Sequence, residues 1–418
     1  MIRTETAARE VEDVARRSYG KLVAYLAART RDVAAAEDAL SDAFAAALAD
    51  WPASGIPQSP QAWLLSVARR KTVDAARRRR SADAGANHLA IIQDELEAAA
   101  LNETDIPDQR LALMFACAHP AIEAAIRAPL ILQTILGFDA ATIASAFLVA
   151  PATMGQRLSR AKQKIAQAGV PFRVPERTEL GERLDAVLAA IYAAYAEGWS
   201  DPAGTETRRR NLSDEAIWLG RLVASLLPAE AEAFGLLALM LHAEARRAAR
   251  RSDEGDYVPL AEQDTDMWDP ALIEEAEALL RRASTFRVIG RYQLEAAVQS
   301  AHAARRITGR PDWAAIERLY DALLLLTGSP VVAINRAVAL AETSGAVEGL
   351  AALDTLADDT RLAEYQPYWA ARAGLLAKTG QIDPADQAYE QAIGLESDPA
   401  VRGFLQLRRA ALKGSSSH

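Results

Sequence analysis

The sequence predicts an all-α protein, and three of its features say so. Ala, Leu, Arg and Glu dominate, and these are strong helix formers. Apolar residues recur every three or four positions over long stretches, the period of a helix with one buried stripe. No segment alternates with period 2 around β-branched residues, as a half-buried strand would. With 418 residues, half of them apolar, the chain has material for two or three separate cores.

The first block spans residues 1–80. Thr6 to Ala28 makes one or two helices around Val11, Val14, Leu22, Val23 and Leu26. Asp32 caps a helix from Val33 to Leu48, with Ala36, Ala39, Leu40, Ala43, Phe44 and Leu48 at its apolar positions, and Trp51-Pro52 ends it. Ala53 to Pro60 reads as a loop. Ser59 and Pro60 are an N-cap and N1 pair that opens the next helix, through Trp63, Leu64, Val67 and Ala68 to Val73, finishing in Arg77–Arg80. Residues 81–105 form an acidic linker that starts without order signals and holds a short helix near Leu89 to Leu101.

The second block spans residues 106–170. A helix runs from Asp108 to Ala118 and breaks before Pro120, and another covers Ile122 to Leu136. Asp139 caps a short helix from Ala140 to Ala146, Phe147 to Ala150 make a turn, and Pro151 opens a final helix to about Ala168. Two short helices joined by a tight turn, the second carrying the basic residues, is the helix-turn-helix pattern.

Residues 171–183 are a connector, and 184–413 read as helix pairs. The loops between them include Arg250 to Trp268; the acids Asp253, Glu254, Asp256, Glu262, Asp264, Asp266 and Asp269 around it offer ligands for a cation, but their order does not fit a calcium loop and the segment reads as solvated. Trp369, Ala373, Leu376, Ala385, Tyr389 and Ala392 fall at the offsets of a 34-residue helix-turn-helix repeat. Ala333, Ala337, Leu340, Gly349, Leu353 and Leu356 repeat them 36 residues earlier. Such units must stack to bury their apolar faces.

The net charge of -9 hides an uneven distribution. Residues 1–80 carry +4, residues 81–109 carry seven acids and no Lys or Arg, residues 110–170 carry +4, and the remainder is acidic. One Cys excludes a disulfide framework, and no apolar run is long enough to span a bilayer or begin a secretory leader. The expected location is the cytoplasm. His88, His119, His242, His302 and His418 form no metal-binding spacing, and no phosphate-cradling glycine loop or nucleophile elbow occurs. The chain is therefore expected to be no enzyme and to need no cofactor or metal. Cys117 is expected to be a small buried hydrophobe.

Three surfaces are candidates for binding. On the final helix of the second block, Met154, Leu158, Ala161 and Ile165 make an inward stripe. The other face carries Thr153, Gln156, Arg157, Arg160 and Lys164, with Lys162 nearby. Arg and Gln there suit base edges, and late lysines suit the phosphate backbone; the plainer alternative is a solvated basic helix. Arg69, Arg70, Lys71, Arg77, Arg78, Arg79 and Arg80 put seven cations into twelve residues, a strong feature for phosphate contact. Trp63 beside them is either core or a stacking platform, with the core role first. Asp38 and Asp42 lie four apart on one helix face with Glu37 adjacent, suited to a basic partner surface, while Leu40 and Phe44 support the helix.

These stretches carry a resemblance. Residues 1–170 look like a bacterial RNA polymerase sigma factor of the extracytoplasmic-function type, which keeps only two sigma domains. Asp32 to Phe44 resembles the helix that meets the clamp of core RNA polymerase, so Glu37, Asp38, Asp42 and Phe44 are its implied polymerase contacts. Ala62 to Arg78 resembles the segment that melts and reads the -10 region, implying contact with the melted non-template strand. Ala140 to Ile165 resembles the helix-turn-helix that reads the -35 region of duplex promoter DNA. The chain is also similar to the subgroup with a large C-terminal tetratricopeptide-like extension. That similarity rests on Asp108 to Pro120, Pro171 to Pro175, Tyr195 to Trp199, Glu262-Gln263-Asp264 and Trp268-Asp269; Thr265 stands where the subgroup tends to have an arginine.

The resemblance implies sigma region 2 in 1–80, region 4 in 106–170 and a helical domain in 184–413 that regulates or stabilises them by intramolecular contact. The alternative is a DNA-binding regulator or helical-repeat scaffold that recruits no polymerase.

Overall fold

The computed structural model describes residues 11, 14, 22, 23, 26, 33–57, 59–80, 109–168, 175–199 and 207–414. The acidic linker 81–105 and the first part of the connector lie outside the described residues. The protein is all-α: the described regular elements are helices, and Arg251 and Tyr257 add one isolated bridge. Two compact units divide at residue 198.

In the first unit, helix α1 spans Val33–Ser54. Ala36, Ala39, Leu40, Ala43, Ala47 and Trp51 are buried, a stripe in which four alanines let a neighbour approach closely. Contrary to the expected stop at Trp51-Pro52, α1 continues to Ser54 with Pro52 inside it. A proline in the last turn forfeits one backbone bond rather than breaking a continuing ladder. The helix ends at Gly55, in the left-handed region at φ +88°, whose N–H reaches the Trp51 carbonyl at 3.0 Å.

Helix α2 spans Pro60–Arg80. The Ser59 carbonyl accepts its first bond, from Trp63 at 3.1 Å. Leu64 and Ala68 are buried against α1. The rings of Trp51 and Trp63 meet edge to face at 5.5 Å, an arrangement that adds roughly 0.5–1.5 kcal/mol beyond area burial. Val11, Val14, Leu22, Val23 and Leu26, the apolar set read from the first block, are also buried.

Helix α3, Gln109–Cys117, is buried on every side from Leu111 onward, so it is a central element rather than a surface one. Pro120 stops it. Helix α4, Ala124–Thr134, starts two residues later than Ile122, and Arg127 bonds the Pro120 and Ile122 carbonyls that precede it, each at 2.8 Å. Gly137 at φ +70° turns the chain into Asp139, whose carboxylate accepts the Thr142 N–H at 2.8 Å and caps helix α5, Ala140–Ala146. Residues 147–150 form the tight turn, with Leu148 at φ +51°, and helix α6 follows at Pro151–Ala168. Helix α7, Gly181–Trp199, buries Leu184, Val187, Leu188, Ile191 and Tyr195. Its Arg183 is 2% exposed, bonded to the Phe115 carbonyl and to Glu179, both at 3.2 Å. That inward charge counts α7 with the first unit.

The second unit begins with α8, Thr207–Leu226, and α9, Ala231–Glu244. Helix α9 is buried along nearly its whole length and packs against α10, Pro270–Ser284, and α11, Arg291–Ala303. Two features set the close approach of α9 and α11. Gly235 has no Cβ; one built there would sit 2.6 Å from the Gln293 backbone nitrogen. Glu232 accepts the Tyr292 and Gln293 N–H groups at 2.9 and 3.0 Å, so a carboxylate on α9 caps the positive end of α11.

The segment Arg250 to Trp268 keeps its acids exposed to solvent, as expected, but its backbone is an ordered strap. Arg305 donates to the carbonyls of Leu260, Ala261 and Gln263 and lies over the Trp268 ring, which is 1% exposed. Asp264 caps the short turn at Thr265–Met267, Asp269 caps helix α10, and Glu262 pairs with Arg408. Of the seven acids, Asp264 and Asp269 thus hold local caps, and Glu262 has a partner distant in sequence.

Helices α12 (Trp313–Thr327), α13 (Pro330–Thr343), α14 (Ala346–Asp354), α15 (Gln366–Lys378), α16 (Ile382–Leu395) and α17 (Pro399–Gly414) follow, each packing on its neighbours. Ala337, Leu353, Ala373, Leu376, Ala385, Tyr389 and Ala392 share one buried cluster. At Gly349 a Cβ would lie 2.7 Å from the Ala337 carbonyl, so the glycine is what lets α14 lie close on α13.

Candidate nucleic-acid and polymerase interface

Helix α6 separates its residues cleanly by face. Met154 and Leu158 are buried, while Thr153, Gln156, Arg157 and Arg160 are exposed. The short helix α5 and the turn at 147–150 hold the start of α6, and α5 and α4 pack against it. The exposed set is therefore presented by a helix anchored from behind, so those four side chains need no rearrangement to reach a groove. Lys164 belongs to α6, with its side chain outside the described residues.

Arg69, Arg70 and Lys71 are exposed on α2. Arg77, Arg78, Arg79 and Arg80 continue the same helix, and their side chains lie outside the described residues. Trp63 is half-buried, committed on one edge to Trp51. On α1, Asp38 and Asp42 are exposed, and Phe44 is half-buried. Asp42 sits 3.5 Å from Lys71, a pair with both side chains about half exposed. Such a pair contributes roughly 0–1 kcal/mol and yields readily to a stronger partner.

Two expected binding residues meet each other. Lys162 Nζ lies 2.7 Å from Glu37 Oε2, with the side chains 26% and 14% exposed. Cys117 is buried beside them. Burial first, and then the Glu37 carboxylate, push its thiol far above the usual range, with Lys162 pulling the other way. Its low thiolate content makes it inert, as expected of a small buried hydrophobe. Among the described residues, no group of three or more His, Cys, Asp and Glu is placed to hold a metal ion. No helix of the described residues is long and apolar enough to cross a membrane.

Sequence reading missed the polar work of the second unit. Trp199, the end of one motif singled out above, stacks under Arg250 at 4.2 Å and Arg247 at 5.2 Å. Its carbonyl accepts from Arg250 at 2.6 Å. Burial, with Arg246, Arg251 and Arg247 nearby, lowers the Arg250 pKa to about 10, against an opposing pull from Tyr257. Glu262-Gln263-Asp264 and Trp268-Asp269 line the strap that Arg305 ties down. The clustering of four arginines at 246–251 was the available signal.

Comparison with known proteins places this geometry in a class. The sigma-70 region 2 family matches residues 14–82, which hold α1, α2 and the basic strip. A sigma-70 region 2 is a module that binds core RNA polymerase and promoter DNA, so the chain carries a sigma-factor domain. A family of unknown function (DUF6596) matches residues 183–284, from α7 to the end of α10. Over 382 residues the chain is 37% identical to the uncharacterized protein R00370 of Rhizobium meliloti (strain 1021), covering 90% of each chain. The chain belongs to the family of that protein. No solved structure matches it.

Proposed function

We propose that the chain is a sigma factor of the extracytoplasmic-function type that directs core RNA polymerase to specific promoters. In this reading, residues 1–80 bind the polymerase clamp through Asp38 and Asp42 and hold the -10 region against Arg69, Arg70, Lys71 and Arg77–Arg80. Residues 106–170 are a second DNA-binding domain. There Gln156 and Arg157 read -35 base edges, and Thr153, Arg160, Lys162 and Lys164 hold phosphates. Residues 184–413 are a tetratricopeptide-like domain that regulates or stabilises the sigma domains.

The observation that carries the reading is α6. It buries Met154 and Leu158 and exposes Thr153, Gln156, Arg157 and Arg160 directly after a tight turn, in a chain whose residues 14–82 match sigma-70 region 2. Run-off transcription by the full chain with core polymerase on a promoter library tests it. Promoter-specific transcripts that disappear in Arg157→Ala/Arg160→Ala are expected. Transcription no greater than with core polymerase alone would overturn it.

A further inference from the structure

We propose that the Glu37–Lys162 ion pair is a latch that holds the free chain closed and that core polymerase releases. The proposal rests on the sigma-factor reading above and adds a control step to it. The pair joins α1, the proposed polymerase-facing helix, to α6, the proposed DNA-facing helix, across 125 residues of sequence at 2.7 Å.

Its environment makes it more than a surface contact. Both side chains are mostly covered, and the buried Cys117 at the end of α3 lies close enough to feel both charges. Away from water, attraction between opposite charges is less screened, and neither partner is readily left alone. The two residues thus hold each other and, with them, the two helices.

The closed arrangement is incompatible with a bound promoter. The -10 and -35 regions are about 25 base pairs apart, which at 3.4 Å per step is about 85 Å of duplex. Helices of 18 and 22 residues, the lengths of α6 and α1, reach only about 27 Å and 33 Å. With Lys162 held on Glu37, Arg157 and Arg69 cannot sit on both regions at once, so the pair must part before a promoter is engaged. A basic polymerase surface drawn to Asp38 and Asp42 arrives next to Glu37 and competes with Lys162 for its carboxylate. Polymerase binding and the simultaneous engagement of both promoter regions are thereby coupled.

The test measures distance in the full chain, with spin labels on cysteines placed at the exposed positions Ala45 and Gln163. A single short distance is expected in the free protein. Glu37→Lys, which sets two cations face to face, should reduce the closed population about tenfold. The swap Glu37→Lys/Lys162→Glu should restore it, which a merely misfolded variant would not do. Added core polymerase should lengthen the distance in the unaltered chain. An unchanged distance in Glu37→Lys, or a swap that fails to close again, overturns the latch. If the variants behave as expected but the chain does not bind core polymerase in a pull-down, polymerase release and the sigma-factor reading fall, while the pair is still seen to hold the helices together.

Discussion

Helices α6 and α9 are built to opposite plans. Helix α6 rests on Met154 and Leu158 and offers its polar residues outward, whereas α9 is buried on nearly every side and has Glu232 and Gly235 committed to α11. The difference separates stability from recognition. A helix that touches its own protein along one stripe can change its outer residues at little cost to folding. A helix that is surrounded cannot, and even its glycine is a packing residue.

The comparison breaks most visibly at Arg305. Arg305→Ala removes a guanidinium that satisfies three carbonyls and covers Trp268. It should lower stability by about 4 kcal/mol in chemical denaturation, since each bond to a charged group is worth roughly 1.5–3 kcal/mol. Acid should act on the same unit. Burial, followed by Arg246 and Arg305, holds His302 down to about 4 from 6.5, so it stays neutral in the fold. Its contribution is full above pH 6.5 and is lost as pH falls toward 4, where the unfolded chain takes up a proton that the fold refuses. The loss should reach about 3 kcal/mol, and His302→Phe should flatten that part of the stability–pH curve. Gly235→Ala should cost about 2 kcal/mol through overpacking against Gln293 despite a better helix propensity.

On α6 the pattern should invert. Arg157→Ala/Arg160→Ala should change stability by no more than about 0.5 kcal/mol while weakening promoter binding by about 10-fold or more. The smallest stability effect is expected on α1. Asp38→Arg/Asp42→Arg should leave the melting temperature nearly unchanged, because the Asp42–Lys71 pair is solvated, yet it should abolish capture of core polymerase. A marked loss of stability in either double variant would show that these faces are structural.

Much of the fold was legible because alanine and leucine at helical spacing leave few alternatives. The stripes from Ala36 to Ala47 and from Met154 to Leu158, the Asp139 cap and the turn before Pro151 all depend on neighbours within a few residues. What escaped depends on distant partners. The local pattern at Pro52 predicts a stop because the burial of Trp51, which holds the last turn in place, is a tertiary fact, whereas the Gly55 cap that closes the turn is local. The acids of 250–268 are exposed as the sequence predicts, but the order of the backbone that carries them escapes it, because Arg305 lies some forty residues further on. Glu37 and Lys162 were both legible as surface charges, and nothing in their local patterns says that they face each other.

The seam between α9 and α11 bears on how the protein is divided for expression. The match to the family of unknown function stops at residue 284. The amides satisfied by Glu232, the backbone that fits over Gly235 and the guanidinium that ties down the strap all lie beyond that point, at residues 292–305. A fragment trimmed to the matched segment would expose the flank of its most apolar helix and leave a carboxylate facing nothing, so it should aggregate. A cut after the turn at Gly309 would fare no better, because Leu294 and Val298 of α11 pack on Ile316 and Leu323 of α12.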